Sequence, residues 1–157
     1  MSEWFVVSVF VDESPDKEMN KYIGGRFIPY IYEIMQEHKK VIFLLPYGNA
    51  CSKSIARTVR VVSRHNAEAV AKCWSVCCNS VEGLHQKMAD RTEGFYERCV
   101  LFRDSDEVPL RKGKIVRNEK MVDLSELSLF FIEKRNGRVY NTMKYARETG
   151  KEYIIMN

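Results

Sequence analysis

The sequence predicts a three-layer α/β domain on a mostly parallel sheet of about five strands, and three observations carry that prediction. Short β-branched runs alternate with longer stretches of helical periodicity. The run Lys40 to Leu45 is apolar without alternation, as a strand covered on both faces should be. The chain closes on an apolar run, an amphipathic stretch and a second apolar run, a β-α-β unit that implies parallel pairing and a right-handed crossover.

Taken in order, Trp4 to Val11 is the first strand, ended by the turn-forming D-E-S-P-D, which also supplies a helix start. From Lys17 to His38, Met19, Tyr22, Ile23, Phe27, Ile31, Ile34 and Met35 recur at helical spacing. Gly24, Gly25 and Pro29 interrupt them, so a kinked helix or two short ones is expected. Lys40 to Leu45 is the next strand and stops at P-Y-G-N. Cys51 to His65 follows as a helix with Ile55, Val59 and Val62 on its inner face and Lys53, Arg57, Arg60 and Arg64 toward solvent.

Glu68 to Val76 reads as a strand, although its alanines also suit the end of a helix. Ser80 opens a helix through Ala89, and Thr92 to Phe102 is either a further helix or a strand. Asp104 to Lys114, charged and broken by Pro109 and Gly113, reads as an exposed loop. Leu127 to Ile132 is a strand, Tyr140 to Thr149 a helix ending at Gly150, and Glu152 to Met156 the last strand. The 157 residues form one domain, 1–157, long enough to bury roughly two-thirds of the unfolded surface. The order of elements makes that domain Rossmann-like.

A hydrophobic fraction of 45% with scarce Gly and Pro argues for a globular chain rather than a disordered one. The net charge of +4 is concentrated in Arg111, Lys112, Lys114, Arg117 and Lys120, a cluster that either meets phosphate or is a solvated basic loop. No helix-turn-helix, zinc-finger or aromatic RNA-binding pattern accompanies it, so nucleic acid is not the expected partner. The odd count of five cysteines and an N-terminus without a basic start and long apolar stretch point to the cytoplasm. Cys73, Cys77 and Cys78 lack zinc-ligand spacing, no run is long enough to span a membrane, and no metal or cofactor is expected. His38, His65 and His85 stand in no nucleophile-elbow context, and no phosphate-loop signature occurs, so no catalytic residue is singled out.

In an open parallel sheet, ligands bind beyond the carboxyl ends of strands, where helix N-termini favour anions. Two segments meet that condition: P-Y-G-N with Ser52 and Ser54 beyond it, and K-R-N-G-R-V-Y-N-T after Leu127 to Ile132. In the second, Asn136-Gly137 forms a turn, and Asn141 and Thr142 either cap the helix or touch a sugar or phosphate. Arg117 can fork onto phosphate, Asn118 lies beside it, and Asp123 can accept two ribose hydroxyls. Arg117 and Asp123 do not share one helix face, so an intervening turn is expected if both meet a ligand. Otherwise Asp123 caps a short helix D-L-S-E and Arg117 bonds loop carbonyls.

The ordered set R-N-x-x-M-V-D-x-S-x-L, an apolar strand, G-x-x-Y-N-T with M-K-Y-A, then G-K and a last apolar run resembles the C-terminal half of the SLOG superfamily. These are Rossmann-like binders of nucleotides and nucleotide derivatives, including DprA-like, lysine-decarboxylase-like and YspA-type proteins. The resemblance covers Arg117 to Asn157. It implies that Arg117, Asn118 and Asp123 line a pocket, that Gly137 to Thr142 cradles phosphate, and that the chain forms a homo-oligomer. Members commonly carry two glycines and a threonine at the turn, where this chain has Gly137, Arg138 and Val139. The phosphoribohydrolase branch adds a glutamate soon after, where Thr142, Met143 and Lys144 stand here. The N-terminal glycine-arginine signature is matched only if Gly24, Gly25 and Arg26 represent it.

The leading expectation is therefore a binder or sensor of a nucleotide or nucleotide derivative through Arg117, Asn118, Asp123, Asn136, Gly137, Asn141 and Thr142. One alternative is an N-glycosidase or nucleoside deoxyribosyltransferase with Glu126, Glu133 or Asp123 at the ribose. Another is an oligomeric interaction protein with a vestigial pocket, meeting partners through Phe27, Tyr30 and Tyr32 or the Trp74 region.

Overall fold

The computed structural model describes residues 3–102 and 105–157. Its strands are β1 (Phe5–Val11), β2 (Lys40–Pro46), β3 (Val70–Val76), β4 (Arg98–Val100), β5 (Leu127–Phe131) and β6 (Tyr153–Ile155). Its helices are α1 (Lys17–Arg26), α2 (Ile28–Glu37), α3 (Ser52–Arg64), α4 (Ser80–Glu93), α5 (Leu110–Leu124) and α6 (Arg138–Glu148).

All the strands pair in parallel in the order β4-β3-β2-β1-β5-β6. From β1 the chain steps outward through β2 and β3 to β4, then returns to the other side of β1 for β5 and β6. Right-handed crossovers then require the first set of helices on one face and the second on the other. Accordingly Ile23, Phe27, Ile31, Ile55 and Val59 of α1 to α3 pack with Val7, Val9, Phe43 and Leu129 in one core. Met121, Val122, Met143 and Ala146 of α5 and α6 pack with Phe10, Ile42, Leu44 and Phe130 in the other. Gln86 of α4 bonds Ser75 at 2.9 Å, and Ser75 shares a face of β3 with Cys73 of the first core, so α4 lies on that side.

Several local features follow from residue chemistry. Pro29 lacks an amide hydrogen and falls in the first turn of α2, which resolves the interrupted segment into two helices meeting at Phe27. Phe27 is fully buried, so it belongs to the core and offers nothing to a partner, whereas Tyr32 is exposed. Gly24 lets α1 lie against α3: a Cβ there would collide with the carbonyl and hydroxyl of Ser54, while its amide donates to Ser54 Oγ at 3.0 Å. Gly24 and Gly25 are therefore helix residues and form no phosphate loop.

The expected three-layer α/β class holds, and four details differ. The sheet has six strands and is wholly parallel, the added strand being β4 from the segment 92–102 that sequence left as helix or strand. Of the loop expected over 104–114, Asp104 lies outside the described residues, and Leu110 onward is helix: α5 runs unbroken to Leu124. No turn separates Arg117 from Asp123, and Asp123 stands near the end of that helix instead of starting another. Finally, α6 begins at Arg138, two residues before the expected start, which moves Asn141 and Thr142 out of capping positions.

Candidate functional site

β1 and β5 are neighbours whose outgoing connections leave to opposite faces of the sheet, α1 on one side and α6 on the other. Such a divergence opens a crevice beyond the carboxyl ends of the strands. Here it is a cavity of about 380 Å³. Asp12 and Glu13 enter it from the end of β1, Gly48 and Asn49 from the loop after β2, Lys134 and Gly137 from the loop after β5, Arg138 from the start of α6, and Lys114, Arg117 and Asn118 from α5.

Arg117 is the most constrained of these side chains. Only 6% of it is exposed. Nε donates to Asn118 Oδ1 at 3.1 Å, and Nη1 donates to the Tyr47 carbonyl at 3.1 Å and contacts Cys78 Sγ at 3.4 Å. Nη2 has no acceptor among the described residues and is not sealed from solvent. No described carboxylate forms an ion pair with the guanidinium. Burial pulls its pKa below the ordinary arginine value, the neighbouring Arg138 adds to that pull, and the attraction of Cys78 and Glu82 does not reverse it. A buried cation held by neutral acceptors, with one donor edge open, is poised for an anion.

Asn118 orients Arg117 and is itself held by Thr142, whose Oγ1 lies 3.3 Å from Asn118 Nδ2 and donates to the Arg138 carbonyl at 2.9 Å. Thus α5 and α6 are joined by a polar chain that ends at the guanidinium. The first turn of α6 has no side-chain cap, so the amides of Arg138 and Val139, both on the crevice wall, keep free donors among the described residues. Gly137 precedes them in extended conformation, φ −89°. A Cβ there would meet Lys134 and Asp12 at ordinary contact distance, 3.5 to 3.7 Å, filling crevice space without a clash.

The two acids are engaged with the frame. Asp12 Oδ2 accepts from the amides of Glu133 and Lys134 at 2.8 and 3.0 Å, clamping the β5–α6 loop to the end of β1. Glu13 Oε1 accepts from the Ala50 amide at 2.6 Å. The lining therefore holds four cationic side chains against two carboxylates, one of them hydrogen-bonded by two backbone amides.

Of the residues singled out from sequence, Arg117, Asn118 and Gly137 meet in the crevice, with Thr142 directly behind Asn118. Asn141 instead faces a separate groove between α5 and α6, beside Ile115, Glu119 and Tyr145. Asn136 is exposed and lines neither cavity. Asp123 lies away from the crevice: it accepts from the Tyr145 hydroxyl at 2.7 Å, and its carbonyl accepts from Lys151 Nζ at 3.0 Å. Six residues of helix, about 9 Å of rise, separate it from Arg117. Glu126 is likewise remote, with its carboxylate on the Val6 amide at 2.6 Å.

The P-Y-G-N segment has a supporting role. Gly48 takes φ +83°, a conformation that favours glycine, and so turns the Tyr47 carbonyl toward Arg117. Asn49 ties the Val11 carbonyl at 2.8 Å to the Cys51 amide at 2.8 Å. Ser52 bonds the Pro46 carbonyl and Ser54 the Lys21 carbonyl, so neither hydroxyl serves a ligand. Asp12 and Glu13 were not singled out as site residues in sequence, and Lys134 entered only as the first residue of K-R-N-G-R-V-Y-N-T. Asp12 and Glu13 read there as turn formers, and their position emerges only from the pairing of β1 with β5.

Comparison with protein-family models and with curated proteins found no match. Cys51, Cys73, Cys77, Cys78 and Cys99 are all free thiols. No helix among the described residues is long and apolar enough to cross a membrane.

Proposed function

We propose that the crevice binds the phosphate-bearing part of a nucleotide or nucleotide derivative and that the protein is a binder or sensor of that ligand. The observation that carries this reading is Arg117: a buried guanidinium without a carboxylate partner among the described residues, on a crevice whose wall also holds the uncapped start of α6. A phosphate seated there would receive a charge-assisted bond from Arg117 Nη2, amides from Arg138 and Val139, and the field of Lys114, Lys134 and Arg138. Asn118 and Thr142 position the guanidinium, and Gly137 leaves the anion its space. The five free cysteines suit a reducing cytoplasm. The exposed stripe Val81, Leu84 and Met88 on α4 supports self-association, which light scattering would detect.

Ligand that binds the folded state alone raises its stability by about 2.7 kcal/mol at a hundredfold excess over Kd, a Tm shift of roughly 5–10 °C at this size. Thermal shift with a panel of adenine nucleotides, ADP-ribose and cyclic nucleotides tests the reading, and no shift with any of them would refute it. A second reading is favoured by Glu13, an exposed carboxylate where a ribose bound through its phosphate would lie. It would support cleavage of an N-glycosidic bond, and assays for free base released from nucleosides and their monophosphates decide it.

A further inference from the structure

On the α1 side of the crevice lies a second cavity, of about 240 Å³, and the two share Asp12, Glu13 and Lys134 in their walls. We propose that this second cavity seats the ring of the ligand, a planar nitrogen heterocycle of nucleobase type, while the phosphate lies in the crevice; this rests on the reading of the crevice as a phosphate site. Continuity is the first argument. A molecule anchored at Arg117 reaches the second cavity past residues that already line the first, whereas the larger α5–α6 groove shares only Arg138 with the crevice.

The wall chemistry is the second. Pro15, Met19, Ile23 and Phe131 supply apolar contact, and the Arg26 guanidinium stands 5.4 Å from the centre of the Phe131 ring. Arg26 has no ion-pair partner among the described residues, so its flat face is available to a second π system. At the rim, Arg26 and Lys134 donate while Glu13 and Glu133 accept, which matches a ring that carries both carbonyl and amino groups.

The cavity is also held open before any ligand arrives. Asn20 is buried, accepts from the Ser14 amide at 2.8 Å and donates to the Ser14 carbonyl at 2.9 Å, which fixes the turn leading into α1. Cys51 Sγ also lies 3.5 Å from its Oδ1, so both ends of the Asn20 amide serve to shape the wall.

Calorimetric titration with inorganic phosphate, ribose 5-phosphate and the nucleoside monophosphates of the four common bases tests the proposal. At least one monophosphate should bind about tenfold or more tighter than ribose 5-phosphate, the gain expected from stacking one base. Met19 is half exposed, and Met19→Trp should fill the cavity and remove that gain while leaving ribose 5-phosphate affinity within about twofold. Arg26→Ala, at a solvent-facing position, should reduce the same gain and serves if the tryptophan variant does not fold. Equal binding of ribose 5-phosphate and all monophosphates, or equal weakening of both by Met19→Trp, overturns the ring site but leaves the phosphate site standing. No binding by any of these compounds overturns both.

Discussion

Arg117 is costly where it stands. Its guanidinium is out of water and its partners are a carbonyl, an amide oxygen and a thiol, none of which carries the charge that would offset its desolvation. The proposed anion would supply the charge that these partners lack. A different case is Ser128, whose hydroxyl is buried on β5 without a hydrogen-bond partner among the described residues. Nothing in the crevice needs it, so Ser128→Ala should raise stability by up to about 1 kcal/mol, read as a higher denaturant midpoint with unchanged slope. A lower midpoint would mean that the hydroxyl has a partner after all. At this scale sequence was informative wherever side-chain chemistry alone decides: Arg117, Asn118 and Gly137 stood out for what they can do. Asp123 stood out on the same ground, yet it bonds Tyr145 because a continuous helix carries it away from the sheet edge.

Among the elements, the strands were legible because apolar β-branched runs have few other uses, and β2 and β5 are buried along nearly their whole length. The helix α5 was not. Its inward face presents Gly113, Arg117 and Asn118 before Met121 and Val122, so the stripe that marks a helix is interrupted by the residues that make the site. The contact of α1 with α3 depends on Gly24. Gly24→Ala should cost about 1–3 kcal/mol through overpacking against Ser54, lowering Tm by several degrees; an unchanged Tm would mean that the helices can part freely. The start of α4 responds to acid. Asp106 accepts from the amide and the hydroxyl of Ser80, and these bonds hold its carboxyl below the usual range. A depressed carboxylate stabilises the fold above its unfolded pKa, near 4, and that contribution disappears as the pH falls through the folded value. The Tm difference between the wild type and Asp106→Asn should therefore be present at neutral pH and fade below about pH 4, and a constant difference would contradict the assignment.

Across the whole molecule, the reversal of strand order at β1 places the site. Asp12 and the Glu133 amide it binds are 121 positions apart in the chain, and no local pattern announces that they meet. Once β5 pairs with β1, the turn residues of one loop and the cations of the other face a common space, and the polar chain Thr142–Asn118–Arg117 links α6 and α5 to it. If this space binds an anion, Arg117 is the group that must recognise it. The most direct measurement is a nucleotide-panel thermal shift on the wild type beside Arg117→Met, a variant that removes a buried charge at similar volume and should keep or raise the ligand-free Tm. A shift of several degrees with at least one phosphate-bearing nucleotide is expected in the wild type and none in the folded variant. An equal shift in both proteins, or none in the wild type, would contradict the proposal.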